Sequence, residues 1–152
     1  MKLAVALMRR ADAQRRIEQI KGRLLRNARV QEGDEPAEDL GELQVEFRQI
    51  AGELVELIQR INRTNMAAGL NESMTIADAL ALRDVLRMRQ GAYAELAVAA
   101  VINQTRHSRS EVRFVSAVNV ADIQAQADTM AREARQLDER IQEANWLVDL
   151  AG

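Results

Sequence analysis

The chain has no cysteine and few residues of the kinds that turn a chain or build a sheet. Its 152 residues include one proline, seven glycines, two phenylalanines, one tyrosine and one tryptophan. The absence of cysteine excludes disulfides, thiol catalysis and cysteine-ligated zinc. Because the chain is otherwise rich in alanine, leucine, arginine and glutamate, this composition favours long helices over sheets. The length fits one domain, residues 1–152.

The sequence also lacks a hydrophobic run of the 18 or so residues that a membrane-spanning helix needs. The apolar residues 3–8 are followed directly by Arg9 and Arg10, and no small-residue cleavage site comes after them. We interpret this stretch as the first turns of a helix and not as a signal peptide. We therefore expect a cytoplasmic protein that does not bind a membrane.

Charge is divided unevenly along the first 60 residues. Residues 1–30 carry nine Lys and Arg against two acids, whereas residues 31–60 carry nine acids against two Arg. Both stretches have helical patterns, so their charges predict that helix 1 lies along helix 2. An exposed ion pair contributes only about 0–1 kcal/mol, so the charges select partner and register more than they stabilise. The pattern leaves open whether this pairing forms within one chain or between subunits.

The basic stretch taken alone could bind phosphates. However, no aromatic residues alternate with its arginines, and the net charge of the whole chain is −2. The acidic helix 2 should neutralise the basic one, so we expect no nucleic-acid partner.

The apolar spacing predicts four helices, over about residues 2–30, 37–68, 76–106 and 120–149. Pro36 fits the first helical position of helix 2, and Asp122 follows Asn119 at the spacing of a helix start. Two helices carry apolar seams in steps of three and four, as in coiled coils. The helix 2 seam is Leu40, Leu43, Phe47, Ile50, Leu54, Leu57, Ile61 and Thr64. The helix 4 seam is Val120, Ile123, Ala127, Met130, Ala134, Leu137, Ile141, Ala144 and Val148.

Helix 3 is apolar on nearly all sides, which is typical of a helix placed between neighbours. We therefore predict an all-α, elongated four-helix bundle of two antiparallel hairpins, with helix 3 central or shared with another subunit. A homo-oligomer, a dimer or larger, follows from this prediction. Residues 107–119 form the longest non-helical segment, and within it the residues from Val112 to Val118 alternate in a way that allows a short strand or an extended cover.

Four segments of the chain resemble a bacterial family of short, septicolysin-like helical proteins of uncharacterised function. These segments are residues 31–37, 61–65, 108–115 and 141–146. The resemblance covers nearly the whole chain and implies a helical fold. The family's name implies a pore-forming cytolysin, but the sequence has no secretion signal, aromatic membrane-tip motif or long amphipathic strands. We therefore take the fold from the resemblance and not the activity.

One polar run interrupts the apolar helix 2 near its end. Thr64 and Asn65 stand where the seam should be apolar, next to Asn62 and Arg63. One interpretation is a ligand-binding pocket at one end of the bundle. The other is a buried polar network that fixes register and ends the helix. The full set of candidate ligand-binding residues is Asn62, Arg63, Asn65, Arg83, Asp84, His107 and Arg109.

We predict no catalytic residue, no metal ligand and no cofactor. His107 is the only histidine, and adjacency to Ser108 and Glu111 in sequence is weak evidence for catalysis. Carboxylate metal bundles need Glu-x-x-His pairs, which this chain lacks. The leading hypothesis is a self-associating structural or interaction protein without catalytic activity. The alternative is a small-molecule or anion-binding protein, or a hydrolase, that uses the polar cluster.

Two further expectations concern packing. Trp146 should anchor a core or an interface. Gly22, Gly52 and Gly91 lie inside predicted helices, where close approach of a neighbouring helix would explain them.

Overall fold

The computed structural model describes residues 1–102 and 112–152. The described elements are α1 (Leu3–Arg26), α2 (Leu40–Ala67), β1 (Gly69–Asn71), β2 (Met74–Thr75), α3 (Ile76–Ala99) and α4 (Val120–Leu147). The fold is therefore mostly helical, as predicted, with a small two-stranded sheet that was not predicted.

The chain divides into two compact units, each of which is described by itself. The first unit comprises Met1–Ile76 together with Gln142–Gly152. The second unit is Ala77–Ile141. The boundary between the two units falls within α4, after Ile141.

In the first unit, α1 and α2 pack against each other as an antiparallel hairpin. Ala13, Ile20 and Ile50 form its buried core, and Ile17, Leu24, Phe47 and Leu54 pack against them. Phe47, Ile50 and Leu54 belong to the helix 2 seam predicted from the sequence, because steps of three and four place side chains on one helix face. The pairing of helix 1 with helix 2 is confirmed.

The turn between α1 and α2 is longer than predicted. Helix α1 ends at Arg26, because Asn27 caps it and its Nδ2 donates to the carbonyl oxygen of Arg23 over 2.9 Å. Helix α2 begins at Leu40 with Asp39 as its cap, whose Oδ1 accepts from the backbone N–H of Glu42. The prediction that Pro36 occupies the first helical position is wrong, because the capping carboxylate lies three residues later.

The connector after α2 is a small antiparallel hairpin of β1 and β2. Its turn is closed by Asn71, whose Oδ1 accepts from the backbone N–H of Ser73 over 2.9 Å. This is an Asx turn, a local structure that an Asn side chain favours. Helix α3 then begins at Ile76, where it was predicted, with the N–H of Ile76 donating to the carbonyl oxygen of Ala68.

In the second unit, α3 and α4 are linked by ion pairs. Arg83 Nη1 lies 2.8 Å from Asp138 Oδ1, and Arg87 Nη2 lies 3.5 Å from the same oxygen. Helix α4 begins as predicted, since Asn119 Oδ1 accepts from the N–H of Asp122. The helix 4 seam is buried at Ala127, Met130, Ala134, Leu137 and Ile141.

Helix α3 ends at Ala99, seven residues before its predicted end. Residues 103–111 lie outside the described part of the chain, and they include the first five residues of the segment 107–119. In the described residues 112–118 no strand is present. None of the described helices is long and apolar enough to cross a membrane.

Trp146 and the helical glycines differ from the expectations. Trp146 is more than half exposed, so a role in the core is wrong, and its interface role stays a prediction. A Cβ added at Gly52 or Gly91 would meet no atom within 4 Å, and one at Gly22 would meet only the end of the Arg26 side chain. Close helix approach therefore does not explain these glycines.

Substituting Gly52 and Gly91 with alanine should stabilise the protein. Each change reduces the conformational freedom of the unfolded chain and meets open space in the helix, so we expect a gain of about 0.5–1 kcal/mol per site. Gly33→Ala is the matched control. Its φ of 93° is left-handed, so the same change should cost about 1 kcal/mol there. Urea unfolding of the three variants measures both signs, and a loss at Gly52 or Gly91 would contradict the account.

Candidate functional site

The polar run at the end of α2 is hydrogen-bonded to residues 151 and 152. Thr64 is buried, and its Oγ1 donates to the carbonyl oxygen of Arg60 over 2.8 Å and accepts from the N–H of Ala151 over 2.9 Å. Arg60 Nε donates to the carbonyl oxygen of Ala151. Arg63 Nη2 donates to the carbonyl oxygen of Gly152 over 3.0 Å. Thr64 therefore replaces an apolar seam residue because it hydrogen-bonds this segment.

The same segment contacts the start of α1. The N–H of Leu3 donates to the carbonyl oxygen of Val148 over 2.9 Å, and the N–H of Leu150 donates to that of Met1 over 2.8 Å. Lys2 Nζ donates to the carbonyl oxygen of Leu147 and lies 3.1 Å from Asp149 Oδ2. We call residues 147–152 the C-terminal clasp. It satisfies the first N–H of α1, a helix without a side-chain cap.

Thr64→Val tests the clasp. Valine keeps the size of the side chain but removes both hydrogen bonds, so we expect a loss of about 1 kcal/mol of unfolding free energy. Hydrogen exchange at the amide of Ala151 should become faster. Thr129→Val is the control, because Thr129 is exposed and makes the same bond to the carbonyl four residues before it. Unchanged exchange at Ala151 in Thr64→Val would contradict the role of the clasp.

The other residues of the predicted cluster are placed as follows. Asn62 and Arg63 are exposed and Asn65 is half-buried, all on the last turns of α2 in the first unit. Arg83 and Asp84 belong to the second unit and contact each other. His107 and Arg109 lie outside the described residues.

Arg83 is held by two carboxylates. Its Nη1 donates to Asp138 Oδ1 over 2.8 Å, and its Nε donates to Asp84 Oδ1 over 3.0 Å. Partial burial acts to lower the pKa of Arg83, but the hydrogen bonds to Asp138 and Asp84 outweigh it and raise that pKa. The guanidinium is thus a fixed cation that ties α3 to α4.

The basic and acidic helices are ion-paired within one chain. Arg16 Nη2 lies 3.6 Å from Glu46 Oε1, Arg23 Nη1 lies 3.7 Å from Glu46 Oε2, and Arg23 also hydrogen-bonds Glu38. The hydrogen bond from Arg23 lowers the pKa of Glu38. The bond to Glu38 likewise raises the pKa of Arg23. In the described structure these pairs form within one chain.

A charged groove of about 450 Å³ runs along this hairpin. Its charged walls are three arginines and three carboxylates, over a floor that includes Ile50 and Leu57. The charged residues are Arg9, Arg16, Arg60, Asp12, Glu53 and Glu56. Because the two signs are equal in number, the groove has no preference for an anion or a cation.

Arg10 lies on the face of α1 that carries buried residues, which the sequence pattern did not predict. It lies four residues after Ala6 and three before Ala13, both of which are buried. Its Nε is buried and has no hydrogen-bond partner among the described residues. The signal available in the sequence is that Arg10 interrupts the apolar spacing of helix 1 between Leu7 and Ala13.

The second unit carries an apolar groove of about 470 Å³. The end of α3 and the residues before α4 form it, and all ten lining residues, within 96–102 and 114–118, are uncharged. Phe114 is 76% exposed and Val115 73%, and Leu96, Val101 and Ile102 are each between 41% and 54% exposed. Large apolar side chains so exposed are typical of interaction surfaces. We call these residues the apolar groove.

Further along α3, more apolar side chains face solvent. Leu82, Val85, Met88 and Val98 are all exposed, Met88 to 74% and Val98 to 75%. No group of three or more His, Asp or Glu that could hold a metal ion occurs among the described residues. The surface that stands out chemically in the described chain is therefore apolar and lies in the second unit.

These features define a mostly helical protein whose charged hairpin is internally paired. The chain belongs to the Family of unknown function (DUF6847), whose model matches residues 10–150. It is similar to a functionally unknown conserved protein from Corynebacterium diphtheriae, known from a crystal structure, with 42% identity over 99% of each chain and a TM-score of 0.93. No curated protein matches the chain. The septicolysin-like name appears in neither description. These similarities support the fold of the chain and indicate no activity.

Proposed function

We propose that this protein is a non-enzymatic structural or interaction protein that self-associates through its second unit. The observation that carries the proposal is the row of exposed apolar side chains on α3, Leu82, Val85, Met88, Leu96 and Val98. Leaving large apolar surface in water is unfavourable by roughly 25 cal/mol per Å², so a second copy that covers it is stabilised. In this arrangement α3 is shared between subunits, and the helices of two copies pack as an elongated helical bundle in the cytoplasm.

The charged hairpin supports the same proposal by elimination. Its two charge blocks pair with each other through Arg16, Arg23, Glu38 and Glu46 within one chain. Arg16 and Arg23 of the basic helix are thus neutralised inside the chain, which supports a partner other than nucleic acid or an anionic membrane. Association through apolar surface of the second unit is the mode that remains.

The alternative was a ligand-binding protein or hydrolase that uses the polar cluster. Hydrogen bonds to Asp84 and Asp138 occupy Arg83, and one donor of the exposed Arg63 bonds the carbonyl oxygen of Gly152. These bonds support a structural role for the two arginines, since a guanidinium bound to a ligand needs open donors.

The proposal is tested by the mass of the protein in solution. Light scattering at micromolar concentration should give at least twice the 17.0 kDa of one chain. Val85→Glu and Met88→Glu, both on the exposed face of α3, should shift the mass toward one chain while the circular dichroism stays helical. Val45→Glu, an exposed site on α2, is the control and should leave the mass unchanged. A monomer at every concentration would overturn the proposal.

A further inference from the structure

We propose that the charged groove of the α1–α2 hairpin binds a small zwitterion that carries an ammonium and a carboxylate beside an apolar group. This is the chemistry of an apolar amino acid or of a short apolar peptide. The inference is independent of the proposed self-association, because the groove lies in the first unit, whereas the exposed apolar side chains of α3 lie in the second.

The groove lies where the row of ion pairs between α1 and α2 stops. Arg16 of α1 lies 3.6 Å from Glu46 of α2. Seven residues are close to two helical turns, so in an antiparallel pair the next facing positions are Arg9 and Glu53. Both of these residues line the groove. Neither makes an ion pair in the described part of the chain, so the two helices are not bridged by charge at this position.

Three charged side chains of the groove lack an ion pair among the described residues, namely Arg9, Glu53 and Glu56. Glu53 accepts one hydrogen bond from the neutral Gln49, whose Nε2 donates over 3.3 Å. All three charged residues are exposed. Glu53 and Glu56 lie three residues apart on one face of α2, where both carboxylates can accept from one ammonium. Arg9, on the facing helix, offers the planar pair of donors that binds a carboxylate bidentately.

The size and the floor of the groove also fit this ligand. Its volume of about 450 Å³ lies within the range of about 300–1,000 Å³ that is typical of small-molecule sites. Ile50 and Leu57 in the floor offer apolar contact to an apolar group. An inorganic anion would also face Glu53 and Glu56, and a simple cation would also face Arg9. A ligand that carries both charges therefore fits the groove better than either ion.

The experiment is a titration of the full-length, nitrogen-15-labelled protein at low salt, followed by two-dimensional NMR. L-Leucine and L-leucyl-L-leucine are the two probes, and the tighter of them shows whether the site takes an amino acid or a peptide. We expect saturable shifts at the amides of residues 9–16 and 50–60. N-acetyl-L-leucine lacks the ammonium and L-leucinamide lacks the carboxylate, so each should bind about tenfold more weakly than L-leucine, since each loses one charge-assisted contact.

Two variants assign the two charges of the ligand to the two walls. Arg9→Gln should weaken L-leucine about tenfold and abolish its advantage over L-leucinamide, because the carboxylate has lost its partner. Glu53→Gln combined with Glu56→Gln should abolish the advantage of L-leucine over N-acetyl-L-leucine, because the ammonium has lost its acceptors. These changes in preference are a readout that a merely structural role of the three residues would not give.

Matched controls remove a charge elsewhere in the first unit. Arg48→Gln and Glu72→Gln change exposed residues that do not line the groove, and both should leave the dissociation constant of L-leucine within about twofold of the wild-type value. The urea midpoint should stay the same in Arg9→Gln and in the double variant, because the replaced residues make no ion pair in the described chain.

Several outcomes would overturn the inference. One is the absence of saturable shifts with both L-leucine and L-leucyl-L-leucine. Another is equal binding of L-leucine, its two blocked forms and inorganic phosphate, which would show that the site does not read both charges. Binding that is unchanged in Arg9→Gln and in the double variant would place the site elsewhere. None of these outcomes depends on the mass of the protein, so the proposed self-association stands or fails separately.

Discussion

Replacing Ile50 with alanine is expected to lower the free energy of unfolding by about 2–5 kcal/mol. Ile50 is 3% exposed and lies in the core of the α1–α2 hairpin with Ala13 and Ile20. The loss has two parts, the transfer of the removed methyl groups and the cavity left behind. Because Ala13 is small and the facing helix is rigid, the neighbouring side chains have little freedom to fill that cavity. Chemical unfolding monitored by circular dichroism measures the change.

Val55→Ala is the matched control for Ile50→Ala. It removes two methyl groups from the same helix, but Val55 is 53% exposed. The expected effect is about 0.5 kcal/mol or less, since surface substitutions leave packing unchanged. Equal losses at the two positions would contradict the placement of Ile50 in the core.

Replacing Arg10 with methionine is expected to stabilise the protein by about 1–3 kcal/mol. The Nε of Arg10 is buried without a hydrogen-bond partner, so folding removes its water and gives nothing in return. Methionine keeps an unbranched chain of similar length on the same seam of α1, between Ala6 and Ala13.

Arg9→Met is the control for this prediction, because Arg9 is the adjacent arginine and is exposed. It should change the free energy of unfolding by about 0.5 kcal/mol or less. A loss of stability in Arg10→Met would mean that Nε has an acceptor in solution, and would contradict the account. If Arg10→Met gains stability with the dimer intact, Arg10 has no part in self-association.

The apolar spacing was sufficient to predict the hairpin. The seam containing Phe47, Ile50 and Leu54 packs against Ile17 and Ile20 as steps of three and four require. The apolar spacing could not predict long-range hydrogen bonds. Thr64 looked like a defect in an apolar seam, because its acceptor and donor partners include Ala151, 87 residues later in the chain. A periodic pattern carries no information on which distant backbone group reaches a polar side chain.

The positions of the helix ends were also difficult to predict from the sequence, even though the residues involved are close along the chain. Pro36 and Asp39 are both suitable at a helix start, and the structure uses Asp39, since its carboxylate caps the N–H of Glu42. Asn27 and Glu38 also bond each other across the turn, which holds residues 27–38 out of either helix. The apolar groove was harder still to predict from the sequence. Phe114 and Val115 drew attention only as alternating residues, because exposure is a property of the fold and not of the sequence.

The two charge blocks of the first 60 residues are joined by ion pairs inside the chain. The central claim is that the copies associate through apolar surface. The most direct test is the mass of the protein by light scattering at low salt and at about 1 M salt, where charges are screened beyond about 3 Å. The account predicts a mass of at least twice 17.0 kDa at both salt concentrations. A mass that falls to that of one chain at high salt, or that is one chain throughout, would contradict it.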